Sequence, residues 1–320
     1  MKKVTILDTS IATANLGDEI IVDAVENELY KIFNEKTMFF HVPTHERMGL
    51  SSYRLIKQSN NAFVGGTNLL SSNYRIVRPN QWRYSFFDTK FIDKNKIVLL
   101  GVGWANYENN PGILAKEFYK RAISEKYIHS VRDSYTETKL KSIGIKNVIN
   151  TGCATMWNFT PEFCSTIPME KSKNVVFTLT DYRQDKINDQ KLINYLEKLY
   201  NKVYFWPQGA KDFEYFNSLK HSKIRIINPT LRSFDELLKT ESDLDYVGTR
   251  LHGGIRALQN RIRTLIIGVD NRATEKKKDF NLNVLDRKQI DRLPEIINFS
   301  FETNIKLNLE NITDWKSQFY

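Results

Sequence analysis

Short apolar runs alternate with helical patterns along the whole of this chain. Val4–Leu7 reads as a strand, and from Asp18 to Phe33 the residues Ile20, Ile21, Ala24, Val25, Leu29, Ile32 and Phe33 recur at helical spacing. Asn61–Val64 and Ile97–Leu100 are further strand runs, each leading into glycines, Gly65-Gly66 and Gly101-Val102-Gly103. Tyr127–Val131 predicts a strand, Asp133–Ile143 a helix with Gly144 placed to end it, and Asn147–Ile149 a closing strand. A second series follows. Asn174–Leu179, Val203–Trp206, Ile224–Ile227, Leu244–Val247 and Thr264–Val269 read as strands; Gln190–Tyr200, Phe213–Leu219, Phe234–Lys239 and the segment after His252 read as helices. Repeated strand–helix units predict parallel sheets covered by helices on both faces. Two such series predict an α/β protein of two Rossmann-like, doubly wound domains facing a cleft. Their expected extents are 1–165 and 166–320, joined near Pro161–Lys173. Ligands of such sheets bind at the carboxyl ends of the strands.

Composition narrows the function. With 320 residues, 41% of them apolar, the chain can bury substantial cores. No apolar run is long enough to span a bilayer, and Asp8 interrupts the first one too early for a signal peptide, so a cytoplasmic location is expected. Cys153 and Cys164 have no metal spacing, and the five histidines are scattered, so no metal site is expected. The net charge of +10 favours acidic partners and points to work beside an anionic membrane surface. Nucleic acid is not expected, because the basic residues are dispersed and no nucleic-acid-binding signature accompanies them. Gly101-x-Gly103 lacks the third glycine of a dinucleotide fingerprint and no P-loop is present, so no cofactor is expected.

The candidate chemistry lies at the strand ends. Gly248-Thr249-Arg250-Leu251-His252-Gly253-Gly254 joins a strand to a helix, whose first free N–H groups and dipole favour an anion. There Arg250 either pairs with a nearby carboxylate or offers its fork to a small anion; His252 either caps the helix or joins that pocket. Ser130-Val131-Arg132-Asp133 repeats the arrangement: Arg132 either pairs with Asp133 or a neighbour, or faces Arg250 across the cleft, an arrangement that suits a ligand with two anionic groups. Arg272, after Gly268-Val269-Asp270, either adds a third positive charge or is merely solvated. Asn15, Gly17 and Asp18 open the first helix, where Asp18 serves as a cap or as a carboxylate beside a substrate hydroxyl. Gly66, Thr67 and Asn68 end one strand and Gln208 another; they line the cleft or make plain turns. Trp206 is a core residue before it is a sugar platform.

Taken together these turns resemble the polysaccharide pyruvyl transferase family. The matching pieces are Asn15-Leu16-Gly17-Asp18-Glu19, Gly65-Gly66-Thr67-Asn68, Gly101-Val102-Gly103-Trp104, Val131-Arg132-Asp133-Ser134, the Asn150–Trp157 stretch, Gly248–Gly254 and Val269-Asp270-Asn271-Arg272. They occur in family order. One departure is Gly152-Cys153-Ala154, where many members have Asp-Pro. The resemblance implies a fold like the GT-B glycosyltransferases, phosphoenolpyruvate as co-substrate, and a sugar acceptor whose two hydroxyls become bridged as a pyruvate ketal. Such ketals belong to bacterial exopolysaccharide, capsule or cell-wall glycan, and the acceptor is a lipid-linked sugar, a nucleotide sugar or a finished polymer. The resemblance associates Arg132, Arg250 and His252 with the donor, with Arg272 beside them. His252 would act on the departing phosphate, and Asp18 is the candidate base for the acceptor. Two other readings share this architecture: a nucleotide-sugar glycosyltransferase, and a catalytically silent protein of polysaccharide assembly.

Overall fold

The computed structural model describes residues 1–34, 36–74 and 81–320. Its first half runs β1 (Lys2–Asp8), α1 (Gly17–Ile32), β2 (Thr37–Pro43), α2 (Leu50–Gln58), β3 (Asn61–Gly65), β4 (Ile97–Leu100), α3 (Ile113–Ala122), β5 (His129–Val131), α4 (Ser134–Ser142) and β6 (Val148–Asn150). The second half runs α5 (Pro161–Cys164), β7 (Asn174–Phe177), α6 (Lys186–Leu199), β8 (Lys202–Phe205), α7 (Asp212–Asn217), β9 (Ile224–Ile226), α8 (Leu231–Thr240), β10 (Leu244–Gly248), α9 (Leu251–Gln259), β11 (Arg263–Gly268), α10 (Asn271–Phe280), β12 (Val284–Asp286), α11 (Leu293–Asn298) and α12 (Leu309–Ser317).

The chain forms two compact units. One holds Met1–Thr13, Ile21–Trp157 and Leu307–Tyr320; the other holds Ala14–Ile20 and Asn158–Lys306. Beside the expected division at 165/166, the break falls at Trp157/Asn158, and two short segments change sides. The physical reasons are apolar. Trp315 and Phe319 at the C-terminus pack with Phe33, Phe63 and Trp157 of the first unit, whereas Ile20 packs with Val176, Trp206 and Tyr246 of the second.

In the first unit the parallel strands lie in the order β2-β1-β3-β4, and β5-β6 form a parallel pair. The Gly101 N–H donates to the Ser130 carbonyl at 3.0 Å, tying β5 to the end of β4. In the second unit six parallel strands lie in the order β12-β11-β10-β7-β8-β9, so the direction of winding reverses between β7 and β10. That reversal is the switch point at which doubly wound sheets hold ligands. Both faces of this sheet are covered. Val175 and Phe177 point into a core with Phe205, Phe216 and Ile267, while Val176 between them joins Tyr204, Trp206 and Tyr246 on the other face. Burial on both faces is why these strands read as unbroken apolar runs.

Gly144 ends α4 with φ of +91°, a conformation that favours glycine. Among the described residues no helix is long and apolar enough to cross a membrane.

Candidate functional site

In the first unit the glycines shape a bed for one arginine. Gly66 has φ of +71°, and a Cβ there would collide with Ile21 Cγ2. The turn it permits carries Thr67, whose carbonyl accepts from the Gly103 N–H at 2.8 Å, and Asn68. Gly103 has no side chain because the Arg132 guanidinium lies where one would be. Arg132 donates through Nε to Asp133 at 2.9 Å, through Nη2 to the Trp104 carbonyl at 3.1 Å, and through Nη1 to Asn68 Oδ1. Asp133 also caps α4, accepting from the Thr136 N–H at 2.8 Å and hydroxyl at 2.6 Å. Burial pushes the Asp133 carboxyl up, but Arg132 and the Thr136 bonds outweigh it and hold it below the usual carboxylate range. Arg132 is therefore fixed at the carboxyl end of β5 by neutral acceptors and one carboxylate.

The second unit gathers more of the expected residues. β7 and β10 end side by side, and the Thr249 N–H donates to the Thr178 carbonyl at 3.1 Å. The Arg250 N–H donates to Thr178 Oγ1 at 3.1 Å, and the Tyr246 hydroxyl donates to the Arg250 carbonyl at 2.7 Å. This locks the backbone as it enters α9, with His252 buried in the first turn. Gly254 lets α9 lie close on the sheet, since a Cβ there would sit 2.8 Å from Ile266 Cγ1.

Arg250 itself is 4% exposed. Its Nε donates to the Leu179 carbonyl and to Asp212 Oδ2, both at 3.0 Å; its Nη2 donates to Asp212 Oδ1 and to Asp181 Oδ1, the latter at 2.6 Å. Asp212, fully buried, also accepts from the N–H groups of Gln208 at 3.1 Å, Gly209 at 2.7 Å and Asp181 at 3.1 Å. Burial raises the pKa of Asp212, with Arg250 and these N–H groups opposing. The Arg250 guanidinium stands 5.0 Å from the ring centre of Tyr182, and Arg272 stands 5.7 Å from the same ring. Arg272 donates through Nε to Asp270 at 3.0 Å and through Nη2 to the Tyr182 hydroxyl. The ion-pairing alternative for Arg250 therefore holds in this structure, and Arg272 is paired rather than merely solvated.

Asn15 and Gln208 also meet here. The Gln208 side-chain amide donates to Asn15 Oδ1 at 2.8 Å, the Leu16 N–H donates to the Gln208 carbonyl at 2.9 Å, and Gln208 Oε1 is buried without a hydrogen bond. A Cβ on Gly17 would lie 2.6 Å from the Gln208 amide nitrogen. Where α1 begins, Asn15 Oδ1 accepts from the Gly17 N–H at 3.1 Å, and Asp18 sits buried in the first turn. Trp206 stacks on Phe234 in the core at 3.9 Å between ring centres. Arg250, His252, Arg272, Asn15, Gly17, Asp18 and Gln208 thus belong to one unit; Gly66, Thr67, Asn68 and Arg132 belong to the other.

Sequence reasoning missed Asp181, Tyr182 and Asp212. Each follows a strand end or opens a helix, as Arg132 and Arg250 do, so position along the element was the available signal. It also missed Asp8, Glu26 and His41, which bring one ligating atom each within 4.8 Å of one another. His41 Nδ1 faces Asp8 at 2.8 Å and Nε2 faces Glu26 at 3.4 Å, which suits an imidazolium held between two carboxylates. The hydrogen bond to Asp8 raises the His41 pKa.

The comparisons agree with this architecture. The family model described as polysaccharide pyruvyl transferase matches residues 15–271. No curated protein matches the sequence. Among solved structures, MnaA of S. aureus in a co-structure with UDP superposes with a TM-score of 0.52 at 12% identity, covering 95% of this chain and 92% of that one. UDP-N-acetylglucosamine 2-epimerase from Rickettsia bellii gives 0.50 at 12% identity, covering 99% and 93%. At such identities the likeness is one of fold: two Rossmann-like domains, as in the GT-B glycosyltransferases.

Proposed function

The chain belongs to the polysaccharide pyruvyl transferase family, and from that premise we propose that it moves the pyruvyl group of phosphoenolpyruvate onto two hydroxyls of a sugar. The observation that carries this reading is the cluster at the carboxyl ends of β7, β10 and β11. Two guanidiniums flank one tyrosine ring there, with a histidine in the first turn of α9. Phosphoenolpyruvate carries a carboxylate and a phosphate, and guanidinium forks suit both. In the proposed reaction the donor's methylene carbon takes up a proton as the first sugar oxygen bonds to the adjacent carbon. The carbon–oxygen bond to phosphate then breaks, and the second sugar oxygen closes the ketal. Of the two hydroxyl protons, one ends on the new methyl group and the other on phosphate. Arg250 and Arg272 would hold donor charge, His252 would protonate the leaving phosphate, and Asp18 would accept a proton from the acceptor; Arg132 is the anion-binding candidate of its own unit. Asn15, Gly17 and Gln208 in one unit, and Gly66, Thr67 and Asn68 in the other, are the candidates for contact with the acceptor. The positive charge of the chain supports an acceptor presented at an anionic membrane face, such as a lipid-linked sugar.

The test is calorimetry with phosphoenolpyruvate on the wild type and on Arg250→Lys, with nucleotide sugars as the control panel. Lysine keeps a charge beside buried Asp212 but lacks the fork, so the variant should fold and bind at least tenfold more weakly. Each titration is repeated with candidate sugars present. Nucleotide-sugar transfer is the competing reading, since MnaA, which shares the fold, has been seen with UDP. Binding of a nucleotide sugar and not of phosphoenolpyruvate would move the assignment there.

A further inference from the structure

The cluster around Arg250 is not electrostatically ready for an anion. Two guanidiniums, Arg250 and Arg272, face three carboxylates, Asp181, Asp212 and Asp270. Their formal sum is negative, although the donor proposed for the site is itself an anion. One of the carboxylates must therefore give way or be compensated when that donor arrives.

The three differ in how firmly they are held. Asp212 is fully buried and accepts from three backbone N–H groups in addition to Arg250, so its removal would strand every one of those donors. Asp270 is the N-cap of α10, accepting from the Arg272 N–H at 3.0 Å while it pairs with the Arg272 side chain. Asp181 has no such anchorage. Its side chain is 20% exposed and is held through the 2.6 Å pair to Arg250 Nη2, while its own N–H is tied back to Asp212. The main chain is thus pinned and the carboxylate is left able to rotate. It lies in a short turn, Asp181–Arg183, beside Tyr182, a residue 51% exposed whose ring is shared by the two arginines.

We propose that Asp181 is an internal stand-in for the donor: its carboxylate occupies the outer edge of the Arg250 guanidinium until a carboxylate or phosphate of the ligand displaces it. This rests on the reading of Arg250 as a donor-binding residue. Asp181 then acts as a specificity filter. A monoanion gains too little from Arg250 and Arg272 to expel it, whereas a ligand with two separated anionic groups engages both guanidiniums at once. Tyr182 sets the distance between them.

The experiment titrates phosphoenolpyruvate and inorganic phosphate into wild type, Asp181→Asn, Asp181→Glu and Arg250→Lys, with melting temperatures to establish folding. Removing the competing charge should tighten phosphoenolpyruvate binding about tenfold in Asp181→Asn and tighten phosphate at least as much; Asp181→Glu should stay near wild type. Wild-type binding that is lost in Arg250→Lys but unchanged or weaker in Asp181→Asn would overturn the stand-in and leave the donor assignment standing. Binding indifferent to Arg250→Lys, or absent from both wild type and Asp181→Asn, would overturn both.

Discussion

At the scale of single residues, this protein twice places a glycine under a guanidinium. A Cβ at Gly103 would overlap the Arg132 side chain, and one at Gly209 would overlap Arg250 Nη2. Gly209→Ala should therefore displace the Arg250 fork, costing about 1–3 kcal/mol in a urea titration and weakening phosphoenolpyruvate binding by more than tenfold. Retained affinity would mean that the fork is not what the ligand meets. A second residue sets a pH response. His129 is fully buried, accepting at Nδ1 from the Leu99 N–H at 3.1 Å and donating from Nε2 to the Ser124 carbonyl at 2.8 Å. Burial pushes it down to about 4, opposed by the Ser124 bond. The unfolded chain takes up this proton near pH 6.5 and the folded one does not, so stability is full above that pH and falls as pH drops towards 4. The loss is on the order of 3 kcal/mol. Urea midpoints between pH 7 and 5 should show it, and His129→Gln should flatten the slope. The sequence marked Arg250 and Arg132 by their place at strand-to-helix junctions. It could not mark Asp181 or Asp212 as the partners of Arg250, because that pairing depends on which strand ends lie side by side.

At the scale of elements, legibility followed burial. β7, β8, β10 and β11 are covered on both faces and were readable as apolar runs. β2 was not, since it pairs only with β1 and leaves Met38 exposed at an edge. α12 was also missed: its short polar stretch Leu309–Ser317 contributes chiefly Ile312 and Trp315 to a core. Trp315 is nonetheless fully buried against Phe63, Trp157 and Phe319. Trp315→Ala should cost about 3–5 kcal/mol, read from the urea midpoint by far-UV circular dichroism. A change below 1 kcal/mol would show that the C-terminal helix is an ornament of the first unit rather than part of its core.

At the scale of the molecule, charge and site pull in different directions. The chain carries a net charge of +10, yet the carboxylates around Arg250 and Arg272 outnumber those guanidiniums. On the proposed reading, attraction of the anionic donor over long range would come from the dispersed surface lysines and arginines, and retention from the buried fork. These two contributions separate kinetically. Surface fields are screened over a Debye length of about 8 Å at physiological ionic strength, whereas a pair buried at Arg250 is screened much less. Stopped-flow measurements of phosphoenolpyruvate binding should therefore show the association rate constant falling by about tenfold between 20 and 300 mM salt. The dissociation rate constant should change little over the same range and should rise in Arg250→Lys. If salt instead acted wholly on dissociation, the anion would be held by exposed charges. The site at the ends of β7 and β10 would then have to be abandoned as its resting place.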